Sequence, residues 1–277
     1  MKLDLNAAWD HAVRLIGMNR EVMLVLAGVF FFLPYILFLL LVPVPEFAEL
    51  AGPSGDASPA LMAAMNGFLA EYWWALVLLA LVQTAGGIAV MAVVGDPARP
   101  TVQAAMSRGA RFLLSSVAAQ ILTSALTTFV LLVAIVLGAL TGSQTMAATT
   151  AVFAVPIIIW LMTRLSLTGP TIAIEQVGNP IAALRRSWRM TQRNGLRMVA
   201  FYVLLFAAFF VISQVLGLLV GLVTALPGAE VAKILGALLS SVIYAAMIVV
   251  VYAVLASVHR QLARAERVLV PDTARDS

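Results

Sequence analysis

Six largely apolar runs, at 22–42, 73–94, 112–140, 146–167, 198–224 and 231–258, limit what this chain can fold into. An α-helix crosses a bilayer with about 20 such residues, whereas a core helix of a soluble domain is shorter and keeps a polar face. The chain is 62% hydrophobic and 11% charged, too little polar surface for a soluble domain, which carries about 25% charged residues. The expected fold is therefore all-α and polytopic, with six transmembrane helices arranged as three hairpins. Pro34 predicts a kink in the first run, and Gly86-Gly87 predicts close helix packing in the second. A tryptophan-bearing amphipathic segment precedes the first run, which argues for an uncleaved helix rather than a signal peptide.

The charges settle the expected orientation. With both termini on one side, every Lys and Arg except Lys233 falls there, while Glu46, Glu49, Asp56, Glu71 and Glu230 lie opposite. The positive-inside rule then places both termini in the cytoplasm, as for a multi-pass protein of a bacterial inner membrane. The expected organisation is one six-span domain over 1–258, with units 1–94, 95–167 and 178–258, and a cytoplasmic tail over 259–277. Residues 43–70 read as the longest loop, with Ser58-Pro59 opening a short surface helix that ends near Ala70.

A local pattern occurs three times. Asp4, Thr101 and Asn179 are N-cap residues placed ten positions before Arg14, Arg111 and Arg189. Asn19, Ser116 and Asn194 follow those arginines by five positions and read as turns. Each unit is thus expected to be a cytoplasmic interfacial amphipathic helix followed by a hairpin, and the units to form a pseudo-threefold repeat about the membrane normal.

The third copy is the most pronounced. Asn179-Pro180 starts a helix, Ile181, Leu184, Trp188 and Thr191 form its apolar stripe, and Asn194-Gly195 ends it. Arg185, Arg186, Arg189, Arg193 and Arg197, with Trp188, form the expected contact for anionic lipid headgroups; Arg14 and Arg111 are the repeat equivalents. A basic residue at a charged leaflet is worth about 1 kcal/mol, so such a group matters. The plainer alternative is that these arginines only set topology and anchor the interface.

The stretch Ala182-Ala183-Leu184-Arg185-Arg186-Ser187-Trp188-Arg189-Met190-Thr191, followed by Arg193-Asn194-Gly195 and an apolar run, resembles the YciC-like bacterial inner-membrane proteins. It is also similar to the membrane domain attached to some glycerophosphodiester phosphodiesterases. The resemblance implies an integral membrane protein with no catalytic residues to carry over. No stretch has the length or composition of the phosphodiesterase barrel.

Other candidates are sparse. Arg164 stands near the end of a span, where it can snorkel; turned inward, its nearest prospective partners are Glu175 and Asp96. Gln83, Gln120 and Gln214 are intramembrane polar residues that either line a path between hairpins or bond helix to helix. Ser213, Gly217 and Gly221 keep the spacing of a packing face. His11 and His259 lack metal-binding spacing, no cysteine is present, and no acid lies deep in a span, so no metal, cofactor or catalytic group is assigned. Nucleic acid is not an expected partner; the phospholipid bilayer, anionic lipids and a partner membrane protein are. The expected function is non-enzymatic, an accessory role in membrane or envelope maintenance. The alternative is a transporter or channel for a small or lipid-like molecule, and a lipid-modifying enzyme is the least favoured.

Overall fold

The computed structural model describes residues 4–45, 59–95, 101–140, 142–192, 194–225 and 228–269. Among these there is no strand. The helices are α1 Leu5–Met18, α2 Arg20–Leu41, α3 Pro59–Gly95, α4 Val102–Ala139, α5 Gln144–Leu165, α6 Thr168–Ile174, α7 Pro180–Thr191, α8 Gly195–Thr224 and α9 Ala229–Leu269. Six helices are long and apolar enough to cross a membrane: Arg20–Leu41, Pro59–Gly95, Val102–Ala139, Val152–Ile174, Gly195–Thr224 and Glu230–Glu266. They fit a multi-pass membrane protein.

Local chemistry accounts for most helix boundaries. The three N-caps act as their residue types dictate: Asp4 accepts from the Ala7 amide, Thr101 from Ala104, and Asn179 from Ile181 and Ala182. Asn19 separates α1 from α2, and its side-chain amide donates to the Leu15 carbonyl at 2.9 Å, satisfying an orphan acceptor of the α1 C-terminus. Within α2, Pro34 has no amide hydrogen and would clash with the carbonyl four residues back. The Gly28–Phe32 turn just before it is π-helical, and this wider turn keeps the helix continuous.

Two expected breaks are absent. The short surface helix ending near Ala70 is instead the first part of α3, which runs without interruption from Pro59 to Gly95. Gly67 costs about 1 kcal/mol relative to alanine, but no proline follows and Leu69, Ala70 and Glu71 favour the helix. Likewise Ser116, read as a turn, lies buried inside a continuous α4. The acidic loop residues Glu46, Glu49 and Asp56, and Asp96, lie outside the described residues.

The core sits at the end of the bundle where α1 meets α9. Ile88, Ala89, Val90, Met91, Ala92, Val93 and Val94 of α3 are buried on every side, enclosed by α2, α4, α6 and α9. Glycine makes that enclosure fit. A Cβ on Gly86 would collide with Phe30, one on Gly87 would come 2.6 Å from the Tyr252 ring, and one on Gly109 of α4 would lie 2.6 Å from the Ala85 carbonyl oxygen. At the opposite extreme, α8 touches mainly α5 and α9, and its most apolar stretch has no buried residue. Its Gly217 and Gly221 have nothing within 4 Å of an added Cβ, so the small-residue stripe expected to pack is open.

This contrast is testable. Gly109→Ala meets backbone rather than a movable side chain and should destabilise the protein by about 1–3 kcal/mol, as overpacking does. Gly217→Ala should stay within about 0.5 kcal/mol of wild type. Thermal unfolding of the detergent-solubilised protein compares the two.

Candidate functional site

α7 is positioned by α6 and by the end of α5. α6 stops at Ile174, and Gln176 takes a left-handed conformation (φ 57°) that reverses the chain towards the Asn179 cap. The buried face of α7 is Ala183, Ser187, Met190 and Thr191. The apolar stripe expected from the sequence is thus rotated: only Thr191 of it is buried, and Ile181 is 51% exposed. Small hydroxyl residues face inward because α5 ends there with unsatisfied carbonyls. The Ser187 hydroxyl donates to the Arg164 carbonyl at 2.7 Å, and Thr191 approaches the same oxygen at 3.4 Å.

Among the described residues Arg164 itself pairs with no acid. Its guanidinium carbon lies 5.1 Å from the Trp160 ring centroid and 5.7 Å from that of Trp188, and the two indoles meet edge to face at 5.1 Å. The cation is held by aromatic faces, and its Nε and Nη1 are buried without a hydrogen-bond partner among the described residues. Glu175, expected as a partner of Arg164, is committed elsewhere.

That commitment ties three helices together. Glu175 accepts from Arg186 of α7 at 3.1 Å and meets Nε2 of the buried His259 of α9 at 3.1 Å; Arg186 also reaches Glu266 of α9. Hydrogen bonding to His259, opposed by partial burial and reinforced by Arg186, lowers the Glu175 pKa from 4.5 to about 2. His259 and Glu266 escape a local reading because they stand on α9, far along the chain. The available signal was scarcity: in so apolar a chain each acid near a span needs a cation, and Glu175 had several to choose from.

The remaining predicted residues fall into two groups. Arg185, Arg189 and Arg197 are exposed, and Arg193 lies outside the described residues. Leu196, 86% exposed, and Ile181 flank these arginines with apolar surface. Arg14 is exposed on α1, and Arg111 is exposed on α4 with its guanidinium 5.5 Å from the Phe112 ring. Of the intramembrane glutamines, Gln83 accepts from the Tyr244 hydroxyl at 2.7 Å and Gln120 donates to Thr84 at 3.1 Å, while Gln214 is exposed on α8. His11 and His259 are not brought together: His11 contacts Ser257 at 3.0 Å, and His259 turns to Glu175. Among the described residues no three His, Asp or Glu cluster in a way that could hold a metal ion.

The Glu175 linkage has a defined sign. A carboxylate whose pKa is depressed stabilises the fold above its unfolded value and loses that contribution as pH falls from about 4.5 towards 2. Glu175→Gln should therefore lower the unfolding temperature at pH 7, and the gap to wild type should narrow as the pH is taken from 5 to 3. Thermal scans across that range measure it.

No curated protein and no solved structure matches the chain. A family match does, over residues 18–262, which takes in α2 to α8, most of α9 and the whole α5–α7 cluster, and leaves most of α1 outside. The chain belongs to the family described as a domain of unknown function (DUF7847).

Proposed function

We propose that this is a non-enzymatic, six-span protein of a bacterial inner membrane whose exposed α7 and α8 arginines associate with anionic lipid, in an accessory role in membrane or envelope maintenance. The observation that carries the reading is the surface around α7. Arg185, Arg189 and Arg197 are exposed beside the exposed apolar side chains of Ile181 and Leu196, the composition that suits the boundary between headgroups and acyl chains. Arg186 drops out of the headgroup set because Glu175 and Glu266 hold it, and Trp188 packs against Trp160 beside Arg164. Both termini are cytoplasmic in this reading, from the distribution of basic residues.

Packing of α2 on α3, α4 on α5 and α8 on α9 supports three hairpins, and the three equivalent N-caps support a common ancestry of the units. The uninterrupted α4 makes the second unit the most divergent. Kinship with the YciC-like proteins rests on the α7 motif alone. A transporter reading has one observation in its favour, a groove of about 790 Å³ between α3 and α4 that includes Thr84, Gln120, Ser124 and Thr128. The Gln83–Tyr244 and Gln120–Thr84 bonds favour packing over conduction, because they occupy the polar groups such a path would need.

Native mass spectrometry of gently solubilised protein tests the lipid reading. Wild type should retain anionic phospholipid, and Arg185→Gln/Arg189→Gln/Arg197→Gln should retain several-fold less while the Arg186 network stays intact. Equal retention would reduce these arginines to topology anchors.

A further inference from the structure

The fold leaves the charge of Arg164 incompletely answered. The Trp160 and Trp188 faces attract the cation, but they offer its N–H groups no oxygen, and Nε and Nη1 are enclosed without a hydrogen-bond partner among the described residues. Helix dipoles give no net help. Arg164 stands in the last turn of α5, whose negative end is worth about half a charge. The guanidinium also packs on the first residue of α8: a Cβ added to Gly195 would lie 3.4 Å from Cζ and Nη2 of Arg164. That end of α8 is positive by a similar amount, and the Asn194 side chain makes no capping hydrogen bond to it. The two helix ends cancel, and a full positive charge remains beside N–H groups that lack an acceptor.

Position narrows the anion that completes the cluster. Gly195 opens the candidate span Gly195–Thr224, so a guanidinium packed on it lies at a membrane boundary, the level of lipid phosphates. Phe153, Ile157 and Trp160 lead up to Arg164 at helical spacing and share its face of α5. All three are exposed and make an apolar track that ends at the charge. Arg164 is itself only partly buried, and Trp160 beside it and Leu196, which follows Gly195, are exposed, so the guanidinium is reached from the lipid-facing surface. A diacyl phospholipid matches both parts. Its chains suit the track, and the two free oxygens of its phosphodiester suit the fork of a guanidinium.

We propose that Arg164, packed between Trp160, Trp188 and Gly195, is a site for one phospholipid molecule, whose phosphate bonds to the guanidinium while an acyl chain lies along Phe153, Ile157 and Trp160. The site goes beyond the exposed arginines of α7 and α8, and rests on the lipid reading only in drawing its ligand from the membrane.

Native mass spectrometry of delipidated protein titrated with dioleoyl phosphatidylglycerol reads the affinity of each successive lipid. The first should bind about tenfold more tightly than the later ones, the factor that one charge-assisted hydrogen bond supplies. Dioleoylglycerol, with the same chains and no phosphate, should show no such first step, and Arg164→Gln should abolish it. Leu196→Glu is a second variant that keeps Arg164: the position is exposed, an acid suits the first turn of α8, and its carboxylate competes for the guanidinium. It should also abolish the first step, whereas Leu114→Glu, which adds the same charge at an exposed position on α4, should leave it. Thermal unfolding checks that each variant is folded. A first step that persists in folded Arg164→Gln or in Leu196→Glu, an equal loss in Leu114→Glu, or equal binding of dioleoylglycerol would overturn the site. Displacement of the first lipid by inorganic phosphate would make the ligand a soluble ester and overturn the lipid assignment. Failure here is separate from failure of the α7 reading, because Arg185→Gln/Arg189→Gln/Arg197→Gln acts on the later lipids and Arg164→Gln on the first.

Discussion

The structure depends on how closely helices can approach the last third of α3. In a bilayer, burying an apolar side chain against another helix gains little over leaving it in lipid, so association rests on dense packing and hydrogen bonds. Gly86, Gly87 and Gly109 let Phe30, Tyr252 and the Ala85 backbone come into contact where any Cβ would hold them apart. Four helices converge on Ile88–Val94 as a result. α6 packs there, and α7 is built on α6, so the placement of the basic helix traces back to glycines far from it in sequence.

Charge is handled in two ways around that core. Glu175 gathers Arg186 and His259 and, through Arg186, Glu266, so that α7 and α9 are joined across a partly buried carboxylate. Removing one partner of such a group leaves the others exposed to the desolvation cost they jointly offset. Arg164 follows a different route: two indoles supply the negative faces.

Much of the secondary structure was legible because it depends on local chemistry. The N-caps at Asp4, Thr101 and Asn179 are set by residues two or three positions away, and the apolar runs fix six long helices. What was illegible depends on distant partners. Which face of α7 turns inward is decided by the carbonyls at the end of α5, and Glu175 chooses Arg186 and His259 over Arg164 because α9 passes close by. Helix continuity through Ala70 and Ser116 was misread for a related reason: a polar or small residue marks a break only where nothing else holds the helix together.

The open helix α8 has a further meaning. Its apolar stretch buries nothing within the protein, so in a bilayer the acyl chains around it would supply the van der Waals contacts that a neighbouring helix supplies elsewhere. Part of the cohesion of this fold is therefore borrowed from its solvent.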